Sequence, residues 1–406
     1  MLKNNSIRKI AMIVSKSSFL KGFAPIIIEM AKRNMFPLLL CGPNPETSFA
    51  KSPSQKPIKE NINFPGVEKV EFAYFIDFKQ AEKIIKDHNI TDILTIHFDK
   101  EFSVFFKRIK KNKVKTHYLQ FYGDFLYFQP ELINPIDNFM LYSKAMVESY
   151  IETYNLKDNF YLKKIKIVGN PNIDLAQKMN KWEIRKKYNL PENKKIILFF
   201  STILELDFRR KNIFGSDNRF KSLLKILYQK HFNQLKNIFK VNYFDIIKVF
   251  RRWANSNKAF FIVKTKLKHK DPKYLIKSAD KFFQEPLNWY PSLSLELIAA
   301  SDFVVSMSFS STIESVAASI PCLQILDETQ LNNQTTKKIN ERIIKNLNDF
   351  SIFLNYQNIS SFPEKFPSFS SLPRQIKTDE KNNLSYLIGS QDGLSSKRVL
   401  DCILNT

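Results

Sequence analysis

The chain has 406 residues and a net charge of +24, from 63 basic and 39 acidic side chains. At roughly 150 residues per domain there is room for two or three domains, and a hydrophobic fraction of 44% fills ordinary cores, which excludes a mostly disordered chain. Three scattered cysteines without a CxxC pair, and five histidines at no metal-ligand spacing, argue against a disulfide framework or a resident metal, so no cofactor is expected.

The start, "MLKNNSIRKIAMIVSKSSF", is basic, but its apolar run Ile10–Val14 is too short for a signal sequence. No apolar run approaches the ~18 residues of a spanning helix, so the expected location is cytoplasmic. The first half then alternates strand and helix. "KIAMIVS" reads as a buried strand and "APIIIEMAKRN" (Ala24–Asn34) as a helix with Pro25 near its start. Next come "FPLLLCGP", "VEKVEF", helix "FKQAEKIIKDHN", strand "DILTIHF", helix "EFSVFFKRIKK", strands "KTHYLQF" and "NFMLYS", and helix "KAMVESYIETYN". Short apolar runs with helices between them predict a parallel sheet covered on both faces.

"IKIVGNPNIDLAQ" ends a strand at Gly169 and turns at Asn170-Pro171. "IILFFST" opens a second strand series, followed by a Lys/Phe-rich helical insert (about Phe220–Asn255), strand "AFFIVKT", the stretch "LELIAAS", strand "DFVVSMS", a further helix and strand "CLQIL". The polar stretch Asn346–Asn383 reads as an irregular crossing, and Ser396–Leu404 as an amphipathic last helix. The expected fold class is α/β, with two doubly wound Rossmann-like domains facing a cleft. The expected division is 1–170 for the acceptor side, 171–194 for a linker, 195–385 for the nucleotide side, and 386–406 for a C-terminal helix able to pack back on the first domain. Ligands bind outside the carboxyl ends of strands in such sheets. The loops of interest therefore follow Val14, Ile96, Phe200, Val263 and Val305.

One of these loops is pointed. In "SFSSTIESVAASIPCLQI" (Ser308–Ile325), small hydroxyl residues crowd the mouth of a helix. The first helical amides lack partners, and the aligned peptide dipoles place roughly +0.5 charge there. A diphosphate suits such an end, with Ser310, Ser311 and Thr312 adding hydroxyls. Glu314, one turn in, can accept from a hydroxyl pair such as a ribose 2′,3′-diol. An ordinary Ser/Thr cap with a dipole-stabilising Glu would use the same residues. The position after a strand of the second half favours the anion site.

With these residues in view, "SDFVVSMSFSSTIESVAASIPCLQI" resembles the sugar-nucleotide site of two-domain glycosyltransferases of the GT-B type, such as the MurG, CDP-glycerol transferase and surface-polysaccharide groups. Glu314 and Pro321 are spaced as that pattern requires, while Ser319 stands where the pattern has Gly. "IKIVGNPNID" is similar to the "TGNPxID" linker of the same superfamily, seen also in UDP-GlcNAc 2-epimerases. The resemblance implies a metal-independent transfer of sugar from a nucleotide-sugar donor to a glycan or lipid-linked hydroxyl acceptor in surface polysaccharide or glycolipid synthesis. It also implies that Lys264, with Lys266 beside it, sits where relatives carry a "KPHP"-like stretch and can reach the diphosphate as a point charge. Ser201 and Thr202 are further phosphate candidates, with Arg209 or Arg210 as a clamp. Pro286, Leu287 and Trp289 occupy the stretch that holds the base. An epimerase of the same superfamily is the rival reading. It is marked down because "STILELDFRRKN" lacks the His of the His-Arg-Arg-Glu-type run. A non-catalytic nucleotide-sugar-binding protein on this fold is a second rival.

The acceptor side needs a base near the attacking hydroxyl. His97 and Asp99 in "LTIHFDKEF" are the catalytic candidates, His97 for its intrinsic pKa, with Glu101 beside them and Asp124 as another option. The loop "SKSSFLKGFAP" can touch the acceptor, with Gly22 permitting close backbone approach. The dispersed lysines suit a solvated surface or peripheral contact with an anionic membrane face. No zinc-finger, RNP-like or basic-zipper pattern supports specific nucleic-acid binding.

Overall fold

The computed structural model describes residues 8–42, 62–64, 66–121, 128–201, 243–265, 273–286, 290, 292–326, 337–347, 351–373 and 381–406. The first sheet has seven strands: β1 (Ile10–Val14), β2 (Leu38–Cys41), β3 (Glu71–Tyr74), β4 (Asp92–Thr95), β5 (Lys115–Leu119), β6 (Asn138–Leu141) and β7 (Ile165–Ile167). They lie all parallel in the order β3-β2-β1-β4-β5-β6-β7. The second sheet holds β8 (Ile196–Phe200), β9 (Phe260–Thr265), β10 (Lys281–Gln284), β11 (Phe303–Ser306), β12 (Cys322–Leu326) and β13 (Ser351–Asn355). Its order is β10-β9-β8-β11-β12-β13, also all parallel. Strand order reverses beside β1 in one sheet and beside β8 in the other. Each reversal opens a crevice at the carboxyl ends of its strands.

The helices are α1 (Leu20–Lys32), α2 (Phe78–Asp87), α3 (Lys100–Ile109), α4 (Lys144–Tyr154), α5 (Lys181–Lys187), α6 (Tyr243–Ser256), α7 (Leu293–Ala300), α8 (Phe309–Ala317), α9 (Lys337–Leu347), α10 (Lys381–Ile388) and α11 (Ser395–Leu404). Polar side chains fix several starts: Asp77 accepts from the Gln80 amide, Asp99 from Phe102 and Ser143 from Met146. The central strands β1, β2, β8 and β12 are buried throughout, because helices cover both faces. Two features differ from the sequence reading. α1 begins at Leu20, so Pro25 lies inside the helix rather than near its start. The stretch read as an irregular crossing contains the edge strand β13.

α11 packs with the first domain: Val399, Leu400 and Ile403 join the same buried cluster as Ile10, Phe23 and Met30. Arg33 pairs with Asp401 at 2.7 Å, and Asn138 Nδ2 donates to the Cys402 carbonyl at 3.1 Å. The "GNPNID" stretch anchors this helix. Asn170 caps a single 3-10 turn, Pro171–Ile173, and the Asp174 carboxylate accepts from the amides of Ser395 and Ser396 and from the Ser396 hydroxyl. Gly169 has φ +85°, and a Cβ there would stand 2.3 Å from Ser395 Oγ, so only glycine fits. No helix among the described residues is long and apolar enough to cross a membrane.

Candidate functional site

α8 starts where β11 ends. The Ser306 hydroxyl donates to the Ser308 carbonyl and accepts from the Ser308 amide, closing the turn. Ser308 is the N-cap residue, yet its side chain makes no cap bond. Its carbonyl takes the amides of Ser311 and Thr312 at 3.1 and 3.2 Å, which leaves the first two helical amides, Phe309 and Ser310, without an intrahelical acceptor. The hydroxyls of Ser308 and Ser310 lie 2.7 Å apart at this half-buried mouth. The helix closes with a residue in the left-handed region: Ser319 has φ +57°, its amide meets the Val316 carbonyl, and the Ile320 amide meets that of Ser315. That is a Schellman ending, whose left-handed position glycine occupies most easily.

The structure sorts the residues predicted for this site. Ser310 stands at the mouth, and Ser311 follows it, buried. Thr312 is fully buried and its hydroxyl donates to Gln324 on β12. Its side chain therefore faces the sheet, which corrects its assignment as a phosphate ligand. Ser201 follows β8 and is 4% exposed, and its hydroxyl has no hydrogen-bond partner among the described residues. Phe199 pairs with Val305, so Ser201 is level with the turn leading to the mouth. An orphaned buried hydroxyl costs about 1–3 kcal/mol, a cost that an anionic ligand relieves. Lys264 is 4% exposed and ion-paired with Glu285, beyond β10. Its charge is answered locally, so it is not the free point charge expected from the sequence. Thr202, Arg209, Arg210, Lys266, Leu287, Trp289 and Asp124 lie outside the described residues.

Glu314 is 6% exposed and accepts from Lys21 Nζ at 2.6 Å. Lys21 belongs to the first turn of α1, in the other domain, 293 residues away. α8 itself turns Phe309, Ile313, Val316 and Ala317 to the first domain's apolar cluster. Tyr290 adds a further contact between the domains, bridging to Ile62 and meeting the ring of Phe64 edge-on. The sequence reading did not single out Lys21. Its only local signal was membership of the loop after β1.

Across the crevice, His97 follows β4. Thr95 Oγ1 accepts from the His97 amide and donates to the His97 carbonyl, fixing the backbone. The imidazole stacks on Phe19 and meets Phe102 edge-on, with Nε2 3.6 Å from Asp99 Oδ2. Burial pushes the Asp99 carboxyl up. The hydrogen bonds from His97 and from the Phe102 amide outweigh it and hold the group below the ordinary carboxylate value. Asp99 thus caps α3 with its carboxylate facing the His97 imidazole. Gly22 is buried in α1 against Phe121 and Ile96, so its close approach is to the core rather than to an acceptor. Among the described residues no group of three His, Cys, Asp or Glu is arranged to hold a metal ion.

No protein-family profile matches the sequence, and no curated protein is significantly similar to it. Solved structures are similar in fold. A UDP-GlcNAc 2-epimerase from Neisseria meningitidis bound to UDP-GlcNAc superposes with a TM-score of 0.56 at 12% identity, over 98% of this chain and 100% of that one. The Methanocaldococcus jannaschii UDP-GlcNAc 2-epimerase in complex with UDP-GlcNAc and UDP gives 0.55 at 14% identity, over 98% and 100%. S. aureus MnaA with UDP gives 0.56 at 14%, over 98% and 96%. At these identities the likeness is one of architecture, and it spans nearly the whole chain. The protein has the GT-B fold, two Rossmann-like domains facing a cleft.

Proposed function

We propose that this protein is an enzyme acting on a nucleoside-diphosphate sugar, and that it transfers the sugar to a hydroxyl of a glycan or lipid-linked acceptor. One observation carries the reading. A single short segment, Phe19–Lys21, touches His97 with its first residue and Glu314 with its last. A group able to take a proton and the helix that carries the open mouth thereby adjoin the same short segment, which supports a shared site.

The roles follow from chemistry. The amides of Phe309 and Ser310, the hydroxyls of Ser308 and Ser310, and the α8 dipole would meet charge developing on a departing diphosphate. Glu314 would accept from the ribose diol. His97, oriented by Asp99, would take the proton from the attacking hydroxyl. The orphaned Ser201 hydroxyl would be a further donor. The excess of lysine suits an anionic lipid surface carrying the acceptor.

A C2 epimerisation of the sugar nucleotide is the second reading. It is favoured by end-to-end similarity to proteins described as UDP-GlcNAc 2-epimerases. A thermal-shift series with UDP-, GDP-, CDP- and CMP-linked sugars tests the common ground. At least one should raise the midpoint, and Glu314→Ala should weaken that response. If none does, the nucleotide-sugar reading is lost; an unchanged Glu314→Ala removes only the ribose role. Proton NMR of the anomeric region then separates the reactions. A C2-inverted sugar nucleotide marks an epimerase, whereas nucleotide release that requires a hydroxyl acceptor marks a transferase.

A further inference from the structure

In each sheet a serine follows the strand beside which the order reverses. Ser15 follows β1 and Ser201 follows β8. They are 6% and 4% exposed, and neither hydroxyl has a hydrogen-bond partner among the described residues. A hydroxyl buried without a partner costs stability. Here it recurs at the same place in both domains, at the carboxyl ends where such sheets bind ligands. Ser201 is level with the turn into the α8 mouth, but Ser15 has a different neighbour. Ile13 pairs with Thr95, so Ser15, two residues on, is level with His97, two residues beyond Thr95. Adjacent strands run about 4.8 Å apart, so one sugar ring can meet both side chains. The His97 imidazole touches the rings of Phe19 and Phe102 and faces the Asp99 carboxylate. None of these three is a donor to a substrate oxygen, whereas the Ser15 hydroxyl is.

We propose that Ser15 is an acceptor-binding residue, the first domain's counterpart of Ser201. Its hydroxyl donates to a sugar hydroxyl next to the one whose proton His97 takes. The site thereby selects acceptors that present two neighbouring hydroxyls on one ring. This rests on the transfer reading and names the part of the acceptor that is recognised. No bond is made or broken at Ser15, and the proton that His97 receives comes from the attacking oxygen alone.

Three measurements on the full chain test it. In the free protein, Ser15→Ala removes a hydroxyl without a partner, so the thermal midpoint should rise, by about 2 °C. A fall would show that the hydroxyl is already satisfied, as by a buried water, and would overturn the inference. Nucleotide release is then followed by proton NMR with the nucleotide sugar that stabilises the protein, using methyl glycosides and their monodeoxy forms as acceptors. On wild type, the form lacking the hydroxyl beside the attacking one should lose about tenfold in kcat/KM, the worth of one hydrogen bond. Ser15→Ala should lose the same factor with the parent glycoside and nothing further with that monodeoxy form. Losses that multiply instead would make the role of Ser15 structural. The third measurement is nucleotide-sugar affinity by calorimetry, which Ser15→Ala should change by no more than about twofold. A tenfold loss would move Ser15 to the donor side and overturn the proposal. If a nucleotide sugar stabilises wild type but no glycoside supports release, this inference falls alone. If no nucleotide sugar stabilises wild type, the nucleotide-sugar reading falls and takes this inference with it.

Discussion

The starts of α8 and α11 pose the same electrostatic problem and answer it differently. At α11 the carboxylate of Asp174 accepts from two first-turn amides and from the Ser396 hydroxyl. At α8 no side chain caps the first turn, and the hydroxyls of Ser308 and Ser310 turn to each other. One helix end is closed by the protein itself, with an acid reaching it from the linker. The other is left with positive potential at the head of a crevice. The comparison separates two stretches that look equally pointed in the sequence: "GNPNID" is a fastening, and "SFSST" is an opening.

Substitutions can break this contrast from either side. Asp174→Ala should have the largest effect, about 3 kcal/mol of lost stability, because it strands several buried donors at once. Urea denaturation would measure it, and a loss under about 0.5 kcal/mol would show that α11 is held by its apolar face alone. Ser310→Asp should split the two properties at the mouth. Diphosphate affinity should drop tenfold or more through charge repulsion, while the acid's interaction with the dipole raises stability by up to about 1 kcal/mol. Undiminished nucleotide binding in that variant would remove the mouth as the anion site. Ser319→Gly should stabilise the far end of α8 by about 1 kcal/mol, by relieving a left-handed backbone that costs a non-glycine residue; a lower thermal midpoint would contradict this.

The smallest effect is a pH dependence at Asp99. Its folded value lies below the ordinary 3.8. The stabilisation it contributes is therefore present above that value and is lost as the pH falls through it toward the folded one. Wild type and Asp99→Asn should differ in thermal midpoint well above pH 3.8, and the gap should narrow as the pH falls below it. The gap will be modest, since the Asp99 side chain is half exposed and solvent screens it. An equal gap on both sides of pH 3.8 would place its origin in packing.

Much of this layout is legible in the sequence because the inner strands are unbroken apolar runs. "IAMIV", "IILFF" and "FVVS" are buried on both faces and announce themselves. The outer strands β10 and β13, "KFFQ" and "SIFLN", have only one neighbour and stay partly exposed, so their patterns blend with the surrounding loops. Site residues divide along the same line. The α8 mouth is a local pattern and could be read. The Lys21–Glu314 pair spans 293 residues, and the bond from Thr312 to Gln324 joins a helix and a strand that are each legible, although which of their side chains meet is not. Pairings between distant positions are settled by packing, which periodicity does not encode.

The attachment of α11 also bears on how the chain is made. The first domain's core is completed by Val399, Leu400 and Ile403, which lie far downstream of its other elements. On the ribosome, the first ~170 residues emerge long before those side chains do, and synthesis proceeds at about 5–20 residues per second. For many seconds the nascent first domain therefore carries an apolar groove along α1 that α11 has yet to fill.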